Sequence, residues 1–445
     1  MLTNKPGPFM SRKRLLIMSS ILIAVLVYLF LIRPRLMPVM GTAAIELVIY
    51  GVVAAAFILS LLALTFQLLK TVFLLLYPHE DLKVTWGSVR KQGVRSLALA
   101  CLLLLLVFLS QWLAYTPPFT DQSGHPIAGS IATLEKIELN GSQQWISIRG
   151  RSTDNPVLLF LAGGPGGSQL AAVRSELSGL EEHFTVVGWD QPGSAKSFHA
   201  VSASALSPER YISDGCSLAA YLGRRFGQDK IYLVGESWGS ALGIWMIQKQ
   251  PELFHAFAGT GQMVSFLDTE HYCYDLALQT AGERGDRDIV QKLEKQGPPP
   301  YYGDGVALKM SNYLMYLFGV MSSNPAIASS DHNTIEDLAA PEYGLYDKVN
   351  YVRGLLSTLT VVYQQLYDRD LRKQAAVLEV PVFFLEGRHD INAPPAFAVE
   401  YYELLTAPHK ELIWFEKSGH TPWVDENERF VEVLVERMLA KGGSP

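Results

Sequence analysis

Residues 229–240 read Asp-Lys-Ile-Tyr-Leu-Val-Gly-Glu-Ser-Trp-Gly-Ser, and no other stretch narrows the possible folds as far. Ile231 to Val234 is a short apolar, partly β-branched run, the composition of a buried strand. It passes into Gly235-Glu236-Ser237-Trp238-Gly239, a G-x-S-x-G, and then into the helix-like Ala241 to Gln250. A sharp strand-to-helix turn strains the backbone of its central residue and lifts that side chain above the sheet. Glycines flank it because a Cβ at either position would strike the neighbouring strand or helix. Ser237 is therefore the candidate nucleophile.

The front of the chain has a different character. Overall hydrophobic content is 49% and charged content 18%. Leu15 to Ile32, Ala43 to Leu69 and Ser96 to Tyr115 are apolar runs, each long enough to cross a ~30 Å hydrocarbon core as a helix. Arg33, Pro34 and Arg35 follow the first run in place of a small-residue cleavage site, so it is expected to be retained. Lys5, Arg12, Lys13 and Arg14 precede the first run, and Lys70, Lys83, Arg90, Lys91 and Arg95 separate the second from the third. This bias predicts a multi-pass cell-membrane protein with a cytoplasmic N-terminus and an extracytoplasmic C-terminal domain. The lipid bilayer is the expected partner of residues 1–118.

Charge divides in the same place. Residues 1–95 hold 11 Lys and Arg against three acids, a net of +8, and the chain as a whole is −6, so residues 96–445 carry −14. No basic patch points to nucleic acid. Cys216 and Cys273 are the cysteines outside the spans, enough for one disulfide, without the spacing of a metal site.

After the turn-rich Thr120 to Ser130, strand and helix patterns alternate. Ile131 to Leu139 and Trp145 to Ile148 flank Asn140-Gly141, a hairpin signal. Val157 to Leu161, Thr185 to Trp189, Ile231 to Val234, Phe254 to Gly259, Val380 to Leu385 and Glu411 to Phe415 are further strands, with helices at Gln169 to Glu182 and Ser207 to Phe226. Buried strands alternating with helices imply an α/β fold, a mostly parallel sheet covered on both faces. The predicted core is 130–264 with 377–445. Residues 265–376 break the alternation with helical, aromatic-rich sequence and form a helical cap, or lid, leaving the carboxyl ends of the strands where ligands bind.

A serine needs a base to take its proton and a third group to hold that base. Asp390 follows the strand Val380 to Leu385, and His420 follows the last strand and precedes the last helix. Ser237, Asp390 and His420 stand in the chain order of an α/β-hydrolase triad. His389 is the rival base. An oxyanion needs two backbone N–H donors. Trp238, after the nucleophile, supplies one, and Gly164, or alternatively Gly163, in the turn Ala162-Gly163-Gly164-Pro165-Gly166-Gly167 supplies the other.

The Gly-Gly-Pro-Gly turn, Trp189-Asp190-Gln191, the Gly-Glu-Ser-Trp-Gly-Ser elbow, Gly387-Arg388-His389-Asp390 and Ser418-Gly419-His420 together resemble the proline iminopeptidase family over roughly residues 130–440. The resemblance implies a serine peptidase of the α/β-hydrolase fold that removes an N-terminal residue, preferentially proline, from short peptides. It also implies cap carboxylates that bind the substrate's ammonium group, with Glu270 or Asp268 placed for that part. Two loops depart from the pattern: Ala162 stands where the family has His, and Pro192 replaces the Arg of Asp-Gln-Arg-Gly. The expected chemistry is acyl transfer without metal or organic cofactor. An esterase or lipase with the same triad, and a non-catalytic membrane sensor, are the competing readings.

Overall fold

The computed structural model describes residues 23, 27–32, 43–77, 82–328 and 334–440. The chain divides into two units, Met1–Leu109 and Ser110–Pro445. In the first unit, helix α1 spans Ala43–Leu76, and helix α2 begins at Leu82 and continues to Trp112. Within that unit Tyr50 Oη donates to Leu106 O at 3.0 Å and Ser60 Oγ lies 2.8 Å from Ser96 Oγ, so the helices pair antiparallel. Ile45–Leu76 and Val84–Trp112 are long and apolar enough to cross a membrane. Their large side chains are exposed, Leu62 at 62% and Leu104 at 70%, the reverse of a helix buried in a protein core.

One expectation changes here, and another is only partly described. Of three predicted spans, two stand as helices; Leu15 to Ile32 lies mostly outside the described residues, with Tyr28–Ile32 a π-helical turn. The predicted second loop is also largely helix, since α1 runs through Lys70 and α2 already contains Arg90, Lys91 and Arg95. Charged residues such as Lys and Arg are good helix formers and end nothing by themselves.

The second unit is built on one eight-stranded sheet, with strands β1 (Ile131–Leu139), β2 (Ser142–Gly150), β3 (Val157–Leu161), β4 (Thr185–Asp190), β5 (Ile231–Glu236), β6 (Phe254–Thr260), β7 (Val382–Gly387) and β8 (Lys410–Phe415). Their order is β1-β2-β4-β3-β5-β6-β7-β8, parallel from β4 to β8, with β1 and β2 antiparallel. Asn140 and Gly141, both at positive φ (46° and 76°), close the β1–β2 hairpin with the backbone twist a two-residue turn requires. Side chains alternate between two cores. Leu159, Leu233 and Phe384 enter one, while Phe160, Tyr232 and Phe383 enter the other.

Helices α3 (Leu170–Glu176), α4 (Pro208–Phe226) and α5 (Trp238–Lys249) follow β3, β4 and β5. Between β6 and β7 come α6 (Phe266–Arg284), α7 (Arg287–Gln296), α8 (Val306–Ser322), α9 (Thr334–Ala339), α10 (Leu345–Arg353), α11 (Leu359–Tyr363) and α12 (Leu371–Gln374), with no strand among the described residues. The insertion is pinched at its stem, where Leu371 N donates to Val264 O at 2.8 Å beside a Ser265–Asp370 bridge. Helix α13 (Pro395–Leu404) precedes β8, and α14 (Pro422–Asp425) and α15 (Asn427–Val433) follow it.

Candidate active site

Ser237 sits between β5 and α5 at φ 54° and ψ −121°, a conformation costing a non-glycine residue about 1–3 kcal/mol. Its N–H donates to Thr260 O at 3.0 Å, and Ser240 Oγ donates to its carbonyl, so both sides of the strained residue are tied. The turn is as tight as the sequence predicts: a Cβ on Gly235 would lie 2.2 Å from Gly239 O, and one on Gly239 2.2 Å from Leu161 O.

His420, after β8, directs Nδ1 to Asp390 Oδ2 at 2.8 Å. The other oxygen of Asp390 accepts the N–H groups of Asn392 (2.8 Å) and Ala393 (3.0 Å), which fixes the carboxylate. A Cβ on Gly261 would lie 2.9 Å from His420 Cε1, so the ring lies close against that backbone. The opposite nitrogen, Nε2, lies 3.5 Å from Glu236 Oε1, and among the described residues no hydrogen bond joins Ser237 to His420. Burial would lower the pKa of His420, but the charge and hydrogen bond of Asp390, then Glu236 and Glu386, push it up to about 9. His389 is half-buried and its N–H is held by Ser418 O, with Asp390 turned to His420 instead.

The two loops expected to carry the oxyanion donors are locked together. Gln191, at the end of β4, accepts Trp238 Nε1–H at 2.9 Å and donates to Ala162 O at 3.2 Å. Trp238 is the first residue of α5, where a helix leaves its N–H groups without intrahelical partners. Gly164 has φ 131°, and a Cβ there would lie 2.7 Å from Gly167 N, so the turn admits no larger residue. Gly163 N–H donates to Gln169 Oε1 at 3.4 Å.

The family follows from comparison with known proteins. A model of the alpha/beta hydrolase fold matches residues 156–296. A protein named "Probable aminopeptidase YbaC", from Bacillus subtilis, is 31% identical over 315 residues, 69% of this chain and 97% of that protein. The chain belongs to the α/β-hydrolase family. A proline iminopeptidase of Heyndrickxia coagulans is 22% identical over 324 residues, 72% of this chain and 97% of its own. The crystal structure of proline iminopeptidase from Mycobacterium smegmatis shares the fold at TM-score 0.51 and 17% identity, covering 69% of this chain and 98% of that one. As an α/β hydrolase with relatives of these names, the protein is a serine hydrolase enzyme.

The helical insertion of this hydrolase separates the two carboxylates expected to meet a substrate. Glu270 on α6 is buried, accepting hydrogen bonds from Tyr363 Oη at 2.7 Å and from Tyr313 Oη. Burial pushes its pKa up to about 7 against the pull of the two phenols. Tyr363 packs edge-on against Phe266, which in turn contacts Trp238, so this carboxylate connects through two rings to the elbow. Asp268 goes elsewhere: it is half-exposed and paired with Arg372, which also binds Asp370 and Glu400. A cavity of about 720 Å³ reaches His420, with Gln169, Phe318, Met321, Tyr351 and Thr421 among its walls. Cys216 and Cys273 are both buried free thiols.

Glu236, Glu386 and Gln169 also surround this site, and none of the three belongs to the sequence pattern of a serine-hydrolase triad. Glu386 is buried in β7, where burial and then Asp390 push its pKa up to about 8. The available signal was a charged residue in the last two positions of each of two otherwise apolar strands, β5 and β7.

Proposed function

We propose that this hydrolase is a membrane-anchored aminopeptidase that releases the N-terminal residue of short peptides by acyl transfer through Ser237, His420 and Asp390. Ser237 attacks the carbonyl, His420 takes and later returns the proton, and Asp390 fixes the imidazole's tautomer. The N–H groups of Trp238 and of Gly164 or Gly163 receive the oxyanion. The observation that carries the peptidase reading is Glu270, a buried lid carboxylate whose hydrogen-bond partners are both phenols. A buried carboxyl that has no basic partner among the described residues, its pKa raised by burial, is held ionised by an incoming cation, and the free amino terminus of a peptide is such a group. The names of the relatives point the same way. The two exposed apolar helices and the basic residues about them support insertion in a membrane, with the hydrolase unit on the extracytoplasmic side.

A paired assay on detergent-solubilised protein tests this, with an N-terminal proline arylamide, its N-blocked form, and short- and medium-chain aryl esters. Cleavage of the free amine alone is expected, falling about 10²-fold or more in Glu270→Gln and vanishing in Ser237→Ala. Ester cleavage alone would make the protein an esterase, and no cleavage by a folded protein would favour the sensor. A reporter fused after Pro445 should be active only outside the cytoplasm.

A further inference from the structure

The imidazole of His420 has a carboxylate at each ring nitrogen: Asp390 at 2.8 Å from Nδ1 and Glu236 at 3.5 Å from Nε2. Asp390 is the partner a triad requires. Glu236 is not, because Nε2 is the atom that must receive the proton of Ser237. With Nδ1–H given to Asp390, a carboxylate facing Nε2 is satisfied only by a second N–H, that is, by an imidazolium. A protonated Glu236 would instead direct its own O–H at Nε2. Either arrangement leaves a proton between the two groups, and a nitrogen so occupied cannot act as a base.

The placement of Glu236 is tightly built. Its side chain is buried, and Gln169 Nε2 donates to Oε2 at 3.1 Å. The same oxygen lies flat against the glycine turn, so that a Cβ on Gly163 would be 2.1 Å away. One carboxylate thus touches the candidate base and the loop that presents an oxyanion donor. Glu236 also immediately precedes Ser237, so its backbone is fixed by the elbow. The ionisable groups around the pair are Asp390 and Glu386 from β7 and the loop after it, Asp425 from α14 and Tyr351 from α10. All are acidic, and among the described residues no Lys or Arg contacts Glu236.

We propose that Glu236 is a positioning residue that holds the Nε2 face of His420 in the resting site and sets the pH at which His420 becomes available to Ser237. Activation is a proton loss: the Nε2 proton leaves to solvent through the cavity, and neutral His420 keeps Nδ1–H on Asp390. Nε2 then accepts the Ser237 hydroxyl proton as the serine oxygen bonds to the substrate carbonyl. This role rests on the triad reading above.

The test is the titration of His420, followed by NMR on protein labelled with ¹³C-histidine, in the Ser237→Ala background and in Ser237→Ala/Glu236→Gln. Glutamine keeps the shape and the contact with Gln169 while removing the charge. The midpoint of His420 is expected to fall by about one pH unit, and with the serine present Glu236→Gln should raise kcat/KM at neutral pH about tenfold by moving the acid limb equally. An unmoved midpoint overturns the proposal, as does a Glu236→Gln enzyme less active at every pH with its acid limb in place. If glutamine prevents folding, Glu236→Asp, which withdraws the charge by one methylene, should lower the midpoint in the same direction. Turnover surviving in Ser237→Ala would instead remove the triad reading, and the titration would still decide what Glu236 does to His420.

Discussion

A methyl group at Gly163 would meet Glu236 Oε2 at 2.1 Å, so the carboxylate, buried and held by Gln169, would have to be displaced. Gly163→Ala is therefore expected to lower kcat/KM about 10²–10³-fold, the scale of a lost oxyanion donor, while the protein stays folded by circular dichroism. The pH dependence follows from His420. A base must be unprotonated, and its pKa lies at about 9, so kcat/KM should climb through neutral pH and level off only above that value. The linked stability has the opposite sign. A histidine whose folded pKa exceeds its unfolded value of ~6.5 contributes fully below that pH, and the contribution is lost as pH rises through about 9. Denaturation midpoints of Ser237→Ala against His420→Gln between pH 6 and about 10 would show the difference closing. The placement of Ser237, Asp390 and His420 at the ends of strands was legible in sequence because each follows a strand in a fixed order. Glu236 and Glu386 were not, because their effect on His420 depends on side chains meeting from β5, β7 and the loop after β8, which no local pattern records. Asp268 shows the converse, a carboxylate near Glu270 in sequence that Arg372 draws to the surface.

Strands were the most legible elements, since β3 to β7 are buried on both faces and read as continuous apolar runs. The insertion was legible only as helical, for its docking depends on single contacts. One of these is Lys196, in the loop after β4, whose Nζ lies 2.7 Å from Asp347 on α10 with both side chains nearly inaccessible. The same nitrogen donates to Glu342 O at 3.1 Å and lies over the ring of Trp145. Removing one partner of such a pair leaves a buried charge, at a cost of about 3–5 kcal/mol, whereas replacing both with apolar groups is close to neutral. Urea unfolding should show Lys196→Met strongly destabilised and Lys196→Met/Asp347→Leu recovering only part of the loss, because Asp347 also accepts from Gly344 N and Gln111 Nε2. Gly354 is a second contact. A Cβ there would lie 2.4 Å from Gly166 O and 2.8 Å from Gly193 O, so Gly354→Ala must push this part of the insertion off the glycine turn. The expected result is a raised KM with little change in the far-ultraviolet circular dichroism.

At the scale of the whole chain, composition shows a basic, apolar front and an acidic remainder, but it does not show where the hydrolase begins. The last apolar run and its proline-rich end suggested a boundary near residue 118, whereas the second unit starts at Ser110. The reason lies in the bonds of the intervening residues. Gln111 Nε2 donates to Asp347 Oδ1 at 2.8 Å, Tyr115 N donates to Pro341 O at 3.0 Å, and Thr116 Oγ1 donates to Glu342 Oε1 at 3.2 Å. Arg149, buried in β2, donates to Thr116 Oγ1 at 2.8 Å and to Pro117 O, besides its pair with Glu181. A chain starting at Ser110 keeps all of these, whereas one starting at Thr120 removes them and leaves Arg149 with Glu181, Glu342 with Arg174 and Asp347 with Lys196. Each hydrogen bond so lost costs about 0.5–1.5 kcal/mol. The Ser110 form should therefore remain in the supernatant after centrifugation and turn over small soluble substrates with the kcat/KM of the solubilised full chain. The Thr120 form should melt at least several degrees lower or fail to accumulate. The full chain should stay with the membrane through an alkaline wash. Equal melting temperatures for the two truncated forms would mean that residues 110–119 only connect the units, and would move the start of the hydrolase back toward residue 118.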